Sequence, residues 1–257
     1  RPLVYLVVLT VIFLSKVEVN SSIAMAGYLL GAAVMCLFSK YWLSRSAYPK
    51  TKSKIEKSDA QRWWNISLPL GLILISSTLM GAADPWFLEV YTRSSEEAAK
   101  YNLAFKLSII IPFALGAINV VIAPRLAELF AIHNLDDMQR LLTWASRFIF
   151  LYTVPITIVL WFGSPWILEL FGKHKGEFSD SYGPLKWLIL GQAFNALCGS
   201  VGIILAMTGH QLQAARILVV IVVLKIILNL TLIPMFQATG AAMATAVTMV
   251  AWNVCLY

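Results

Sequence analysis

Charge is what this chain has least of. Aspartate, glutamate, lysine and arginine make up 13% of its 257 residues, against about 25% in a soluble domain, and that shortfall excludes an ordinary water-soluble fold. Cysteine is also scarce. Cys36, Cys198 and Cys255 each fall in an apolar run and form no CxxC pair, so no disulfide framework is implied. His133, His174 and His210 lie on separate loops, which argues against a metal site. There is no GxSxG, no HExxH, no Walker A sequence and no cluster of acids with bases. The chain is therefore read as a non-enzyme that needs no cofactor.

What fills the space is hydrophobicity: 59% of residues are apolar and the mean hydropathy is +0.75. With ~20 apolar residues per crossing, the spacing predicts spans near 21–43, 66–86, 103–124, 148–168, 185–207, 217–235 and 240–257, with a shorter run at 2–15. The expected fold is an all-α polytopic membrane bundle of about eight transmembrane helices. The first span is short and the chain opens on Arg1, which reads as a fragment of a longer carrier.

Orientation follows from where the cations sit. Arg45, Lys50, Lys52, Lys54, Lys57 and Arg62 crowd one loop against Glu56 and Asp59, so that loop is cytoplasmic. By alternation Arg125, Arg140, Arg147 and Arg216 are also inside, and Glu18, Glu89, Glu96, Glu97, Glu177 and Asp180 are outside. The +7 net charge is then a product of topology and calls for no nucleic-acid partner. Residues 44–64 form the longest polar interruption and end in Trp63-Trp64, an interfacial anchor. They are read as a basic cytoplasmic linker between helices 1–43 and a six-helix bundle at 65–257. Within that bundle, 125–147 can hold a cytoplasmic half-helix with Asp136-Asp137 near its start, where the helix dipole favours carboxylates.

Several positions carry more than an anchor needs. Lys225 lies mid-span, and its stem reaches roughly 6 Å against about 13 Å to either end of the run, so it either faces a cavity or pairs with an acid on a neighbouring helix. Asn229, four residues on, shares its face. Asp84 closes an uncharged span before Pro85, where the helix is expected to loosen. Lys106, with Asn102 one turn earlier, is a cavity candidate or a snorkelling side chain, and Lys186 is a snorkelling anchor. Gly191, Asn195 and Gly199, with Gln192 nearby, give one span a small, polar face that packs on protein or lines a cavity. Gly27 and Gly31, and the small-residue run at 240–248, are read as tight helix packing. Pro69, Pro112 and Pro155 permit kinks.

The order of these features resembles the polysaccharide-biosynthesis flippases of the MATE-like exporter superfamily. Pro69 followed by Asp84 at the far end of the same helix, then Tyr101, Ala104 and Lys106 on the next, match that family's pattern. So do Gly191, Gln192 and Asn195, Met207 to Gly209, Asn229, Ile233-Pro234 and Gly240 to Ala242. Gln237 stands where the family often has Gly. The resemblance implies a two-lobe carrier working by alternating access in the bacterial cytoplasmic membrane, with a lipid-linked oligosaccharide as substrate. This chain would supply the last helices of the first lobe, the linker and the second lobe. Its partners would be the remaining first-lobe helices and membrane lipids. Lys225, Asn229, Asp84, Lys106, Asn195 and Gln192 are the cavity candidates. An ion-coupled drug efflux pump of the same superfamily and a non-transporting scaffold for glycan assembly stay open as alternatives.

Overall fold

A computed structural model describes residues 21–45, 57–171 and 179–257. Those residues are almost wholly helical, as the composition requires. The chain divides into two compact units, Arg1–Glu56 and Lys57–Tyr257. In the first, helix α1 (Ser21–Arg45) covers the span expected at 21–43, whereas the expected run at 2–15 lies outside the described residues. The second unit begins with α2 (Lys57–Thr92). At ~1.5 Å per residue its 36 residues exceed a ~30 Å hydrocarbon core, so its first turns extend into the basic segment, with Trp63 and Trp64 exposed.

Two expectations about prolines are corrected. The span expected at 103–124 is broken into α3 (Ser95–Ser108) and α4 (Phe113–Ala131) by a turn at 109–112. Pro112 has no N–H to donate and disfavours helix at Ile111. Within the turn the Ile110 carbonyl accepts from Phe113 N at 3.3 Å and from the Tyr152 hydroxyl at 3.1 Å. By contrast, α2 runs unbroken through Pro85 to Thr92. A single lost bond in a helix held by its neighbours does not loosen it there.

α5 (Leu135–Phe171) fuses the expected cytoplasmic half-helix with the following span, and Asp136 and Asp137 occupy its first turn as the dipole argument required. Asn134 caps it, accepting from Asp137 N at 3.1 Å. A 3-10 turn (Ser179–Ser181) leads to α6 (Tyr182–Cys198). α6 and α7 (Val201–Met207) are together long and apolar enough for one crossing and are bent by 46° at Gly199-Ser200. At the start of α6 Lys186 lies over the rings of Tyr182 and Trp161, at 4.3 and 5.1 Å.

The last element, α8 (Gln211–Leu256), is continuous in hydrogen bonding except at Gln237. Geometry shows that it is a hairpin. Lys225 and Thr245 would stand ~30 Å apart on a straight helix, yet Lys225 Nζ lies 3.0 Å from Thr245 Oγ1. The two arms, 211–236 and 238–256, are thus the two spans expected at 217–235 and 240–257. The reversal is so tight that a Cβ on Gly240 would come within 2.2 Å of the Leu232 carbonyl oxygen. Four described helices are long and apolar enough to cross a membrane, or five with the bent α6–α7 pair; counting the arms of α8 separately adds one more.

Gln237 sits at φ 50°, ψ −127°, a conformation open to Gly and strained for any residue with a Cβ. Its side chain is exposed, so little contact would be lost with it. Gln237→Gly is expected to raise stability by about 1 kcal/mol, read as a higher melting temperature of the detergent-solubilised protein; a lower one would show that the side chain holds the turn.

The core runs between α3, α5, α6 and both arms of α8, around Tyr101, Leu185, Leu188, Ile189, Ile233 and Ala241. The opposite faces stay apolar and uncovered, with Phe162 72% and Leu170 84% exposed, as suits lipid contact. Lys100 joins α3 to the 3-10 turn through Glu96 and Glu97 at 3.1 Å and Asp180 at 3.2 Å. Burial acts to lower the Lys100 pKa, but hydrogen bonds to the three carboxylates outweigh it and raise it above 10.5. While those carboxylates are ionised, the stabilisation from Lys100 is fully present below pH 10.5 and is lost as pH rises through the native value.

Candidate functional site

The hairpin of α8 and the far end of α2 bring one carboxylate to the middle of a ring of donors. Asp84, 1% exposed, accepts from Lys225 Nζ at 2.8 Å and Thr245 Oγ1 at 2.7 Å on Oδ2, and from Asn229 Nδ2 at 2.8 Å on Oδ1. The Tyr101 hydroxyl from α3 also donates to Oδ2. Thr245 spends its single proton on Asp84 and accepts from Lys225 at 3.0 Å, so ammonium, hydroxyl and carboxylate close a triangle. Lys225, Asn229, Tyr101 and Thr245 are all at most 3% exposed. Isolated, either charge would be costly in this interior; paired and hydrogen-bonded, each satisfies the other. The Asn229 Oδ1 atom keeps no partner.

Lys225 is therefore not a free cation in an open cavity. Of the two situations the sequence allowed, the structure shows the pairing with an acid on a neighbouring helix. Lys225 nonetheless lines a cavity of about 470 Å³ between α2 and the first arm of α8, walled by Leu79, Met80, Ala83, Trp86 and Val222. The wall is apolar save for Lys225, the one charged residue among the described residues that borders this hydrophobic cleft.

The remaining candidates scatter. Lys106 is exposed on α3 and takes no part in the cluster. The break at 109–112 shortens its helix, so it does not sit one turn into a long span. Asn195 faces the second arm of α8, where its Oδ1 accepts from Asn253 Nδ2 at 2.9 Å. Gln192 is 3% exposed beside it on α6. Gly191 shows what this small, polar face does: a Cβ there would lie 2.7 Å from Ala246 Cα, so the face packs on protein, against the small-residue run. Of the six candidates, the structure joins Asp84, Lys225 and Asn229 and leaves Lys106, Asn195 and Gln192 outside.

Thr245 and Tyr101 complete the ring and were not singled out by chemistry. Thr245 lies in the 240–248 run, where small residues signal packing first. The available signal was periodic: Thr245 and Thr248 are three apart, so both lie on the inward face of the second arm, where each is buried.

Residues 69–231 match the family model MatE, a stretch that includes Asp84, Tyr101, Lys225 and Asn229 and ends before the second arm of α8. No curated protein matches the chain.

Proposed function

The chain belongs to the MatE family of membrane transporters, and on that premise we propose that it is the second lobe of a carrier moving lipid-linked oligosaccharide across the bacterial cytoplasmic membrane. The observation that carries the reading is the position of Lys225: a buried lysine that lines an apolar cleft. A lipid-linked glycan presents an isoprenoid or acyl tail beside a phosphate. The cleft suits the first and an ammonium suits the second as a point charge.

In the state described here Asp84 holds that ammonium. Substrate phosphate would have to compete with Asp84 for Lys225, and Tyr101, Thr245 and Asn229 would keep the released carboxylate hydrogen-bonded. Such an exchange between two discrete partners gives a carrier two states of comparable energy, which alternating access requires.

The efflux reading draws on the same site. A cleft of this size with a carboxylate behind it also suits a drug-sized apolar cation. The discriminating experiment reconstitutes the carrier with both lobes into vesicles and measures two fluxes: leaflet exchange of a fluorescent lipid-linked oligosaccharide, and uptake of a cationic dye under an ion gradient. The flippase reading expects the first and not the second. Dye transport without lipid exchange would transfer the assignment to an efflux pump.

A further inference from the structure

A second cavity, of about 920 Å³, opens on the other side of this lobe between α5 and the bend joining α6 to α7. Its wall is divided by chemistry. One part carries Arg147 and the hydroxyls of Ser146 and Ser200, and another carries Phe150, Leu151 and Ile204. Arg147 immediately precedes the expected span at 148–168 and lies on the cytoplasmic side by the charge rule, so it sits at head-group depth with the apolar wall extending into the bilayer.

The polar part is unsatisfied. Arg125 and Arg140 have carboxylate partners, Glu128 at 2.6 Å and Asp137 at 3.5 Å; among the described residues the Arg147 guanidinium has none. Ser200 is 8% exposed and its Oγ has no hydrogen-bond partner, although buried hydroxyls are normally paired. Gly199 explains its placement. At φ 77° it ends α6 in a conformation that favours glycine, and the bend turns Ser200 into the cavity wall.

We infer that this cavity binds the phosphate of an anionic membrane phospholipid. Arg147 would take two phosphate oxygens in its planar fork, the buried Ser200 hydroxyl, turned outward by a rotation about χ1, would donate to a third, and an acyl chain would lie along Phe150, Leu151 and Ile204. The site is separate from the Asp84 cluster and does not depend on which substrate the carrier moves.

The test places the intact carrier in nanodiscs of phosphatidylcholine and phosphatidylglycerol and counts retained lipids by native mass spectrometry. The wild type is expected to retain phosphatidylglycerol about ten-fold over phosphatidylcholine, as one charge-assisted contact supplies. Arg147→Gln should bring that ratio close to one. Leu151→Trp, which keeps the charge and fills the apolar wall, should lower it as well, and Ser200→Ala should lower it by a smaller factor. Inorganic phosphate at matched concentration should not displace the lipid. An unchanged ratio in Arg147→Gln, or displacement by inorganic phosphate, would overturn the proposal: the first would reduce the preference to general attraction at the membrane surface, and the second would make the ligand a soluble anion. If Arg147→Gln fails to fold, Leu151→Trp and Ser200→Ala decide it on the same readout.

Discussion

Asp84→Asn is expected to destabilise the lobe by about 3–5 kcal/mol, the usual consequence of leaving one member of a buried ion pair without the other. The two partners are not equivalent. With Asp84 neutral, Lys225 keeps one acceptor, Thr245 Oγ1, and its charge has no opposite within reach. Lys225→Met leaves Asp84 with three donors, from Tyr101, Thr245 and Asn229. Its cost should be nearer 1–2 kcal/mol, roughly that of a charged hydrogen bond.

The double variant, Asp84→Asn with Lys225→Met, should recover most of the loss, since a buried pair exchanged for neutral groups of similar volume is often close to neutral. Unfolding of the three variants in the same mixed micelles supplies the cycle. Simple additivity of the two single effects would mean that the pair does not form in the protein.

Much of this arrangement could be read from residue order. The all-helical membrane fold followed from composition because a backbone in lipid is satisfied within helices or a closed barrel, and apolar runs of ~20 residues suit helices. Lys225, Asn229 and Asp84 stood out because polar groups in apolar runs are expensive. That they meet could not be read: Asp84 and Lys225 are 141 residues apart, and a single sequence carries no sign of which helices adjoin. Thr245 was hidden for a different reason, since a hydroxyl can be satisfied by its own helix and leaves little mark in a run of small residues.

Helix ends were legible where charge marks them, as at Asp136-Asp137, and illegible where tertiary contact decides. Pro112 breaks its span and Pro85 does not, although both precede apolar residues. At the first, the Tyr152 hydroxyl donates to the Ile110 carbonyl and supports the turn. At the second, the cluster around Asp84 holds the helix on three sides.

Lys225→Ala carries the second large effect, on transport. The expected loss of glycan export is at least about ten-fold, the factor that one charge-assisted contact to a phosphate supplies, while the protein still accumulates because Asp84 keeps its three other donors. Lys225→Arg separates charge from shape. It restores a cation but not a compact ammonium, and a guanidinium in the triangle with Thr245 has no room to form a fork, so export should recover only in part.

The measurement that bears most directly on the central claim is surface glycan in cells whose only copy of the full carrier bears Lys225→Ala, with carrier abundance in the membrane and lipid-linked intermediate on the inner leaflet determined in parallel. A transporter working through this site predicts surface glycan reduced at least about ten-fold, intermediate accumulating inside and carrier abundance unchanged. Normal surface glycan at normal abundance would contradict it, leaving the Asp84–Lys225 pair as a strut and the lobe as part of a scaffold or of a carrier that recognises its substrate elsewhere.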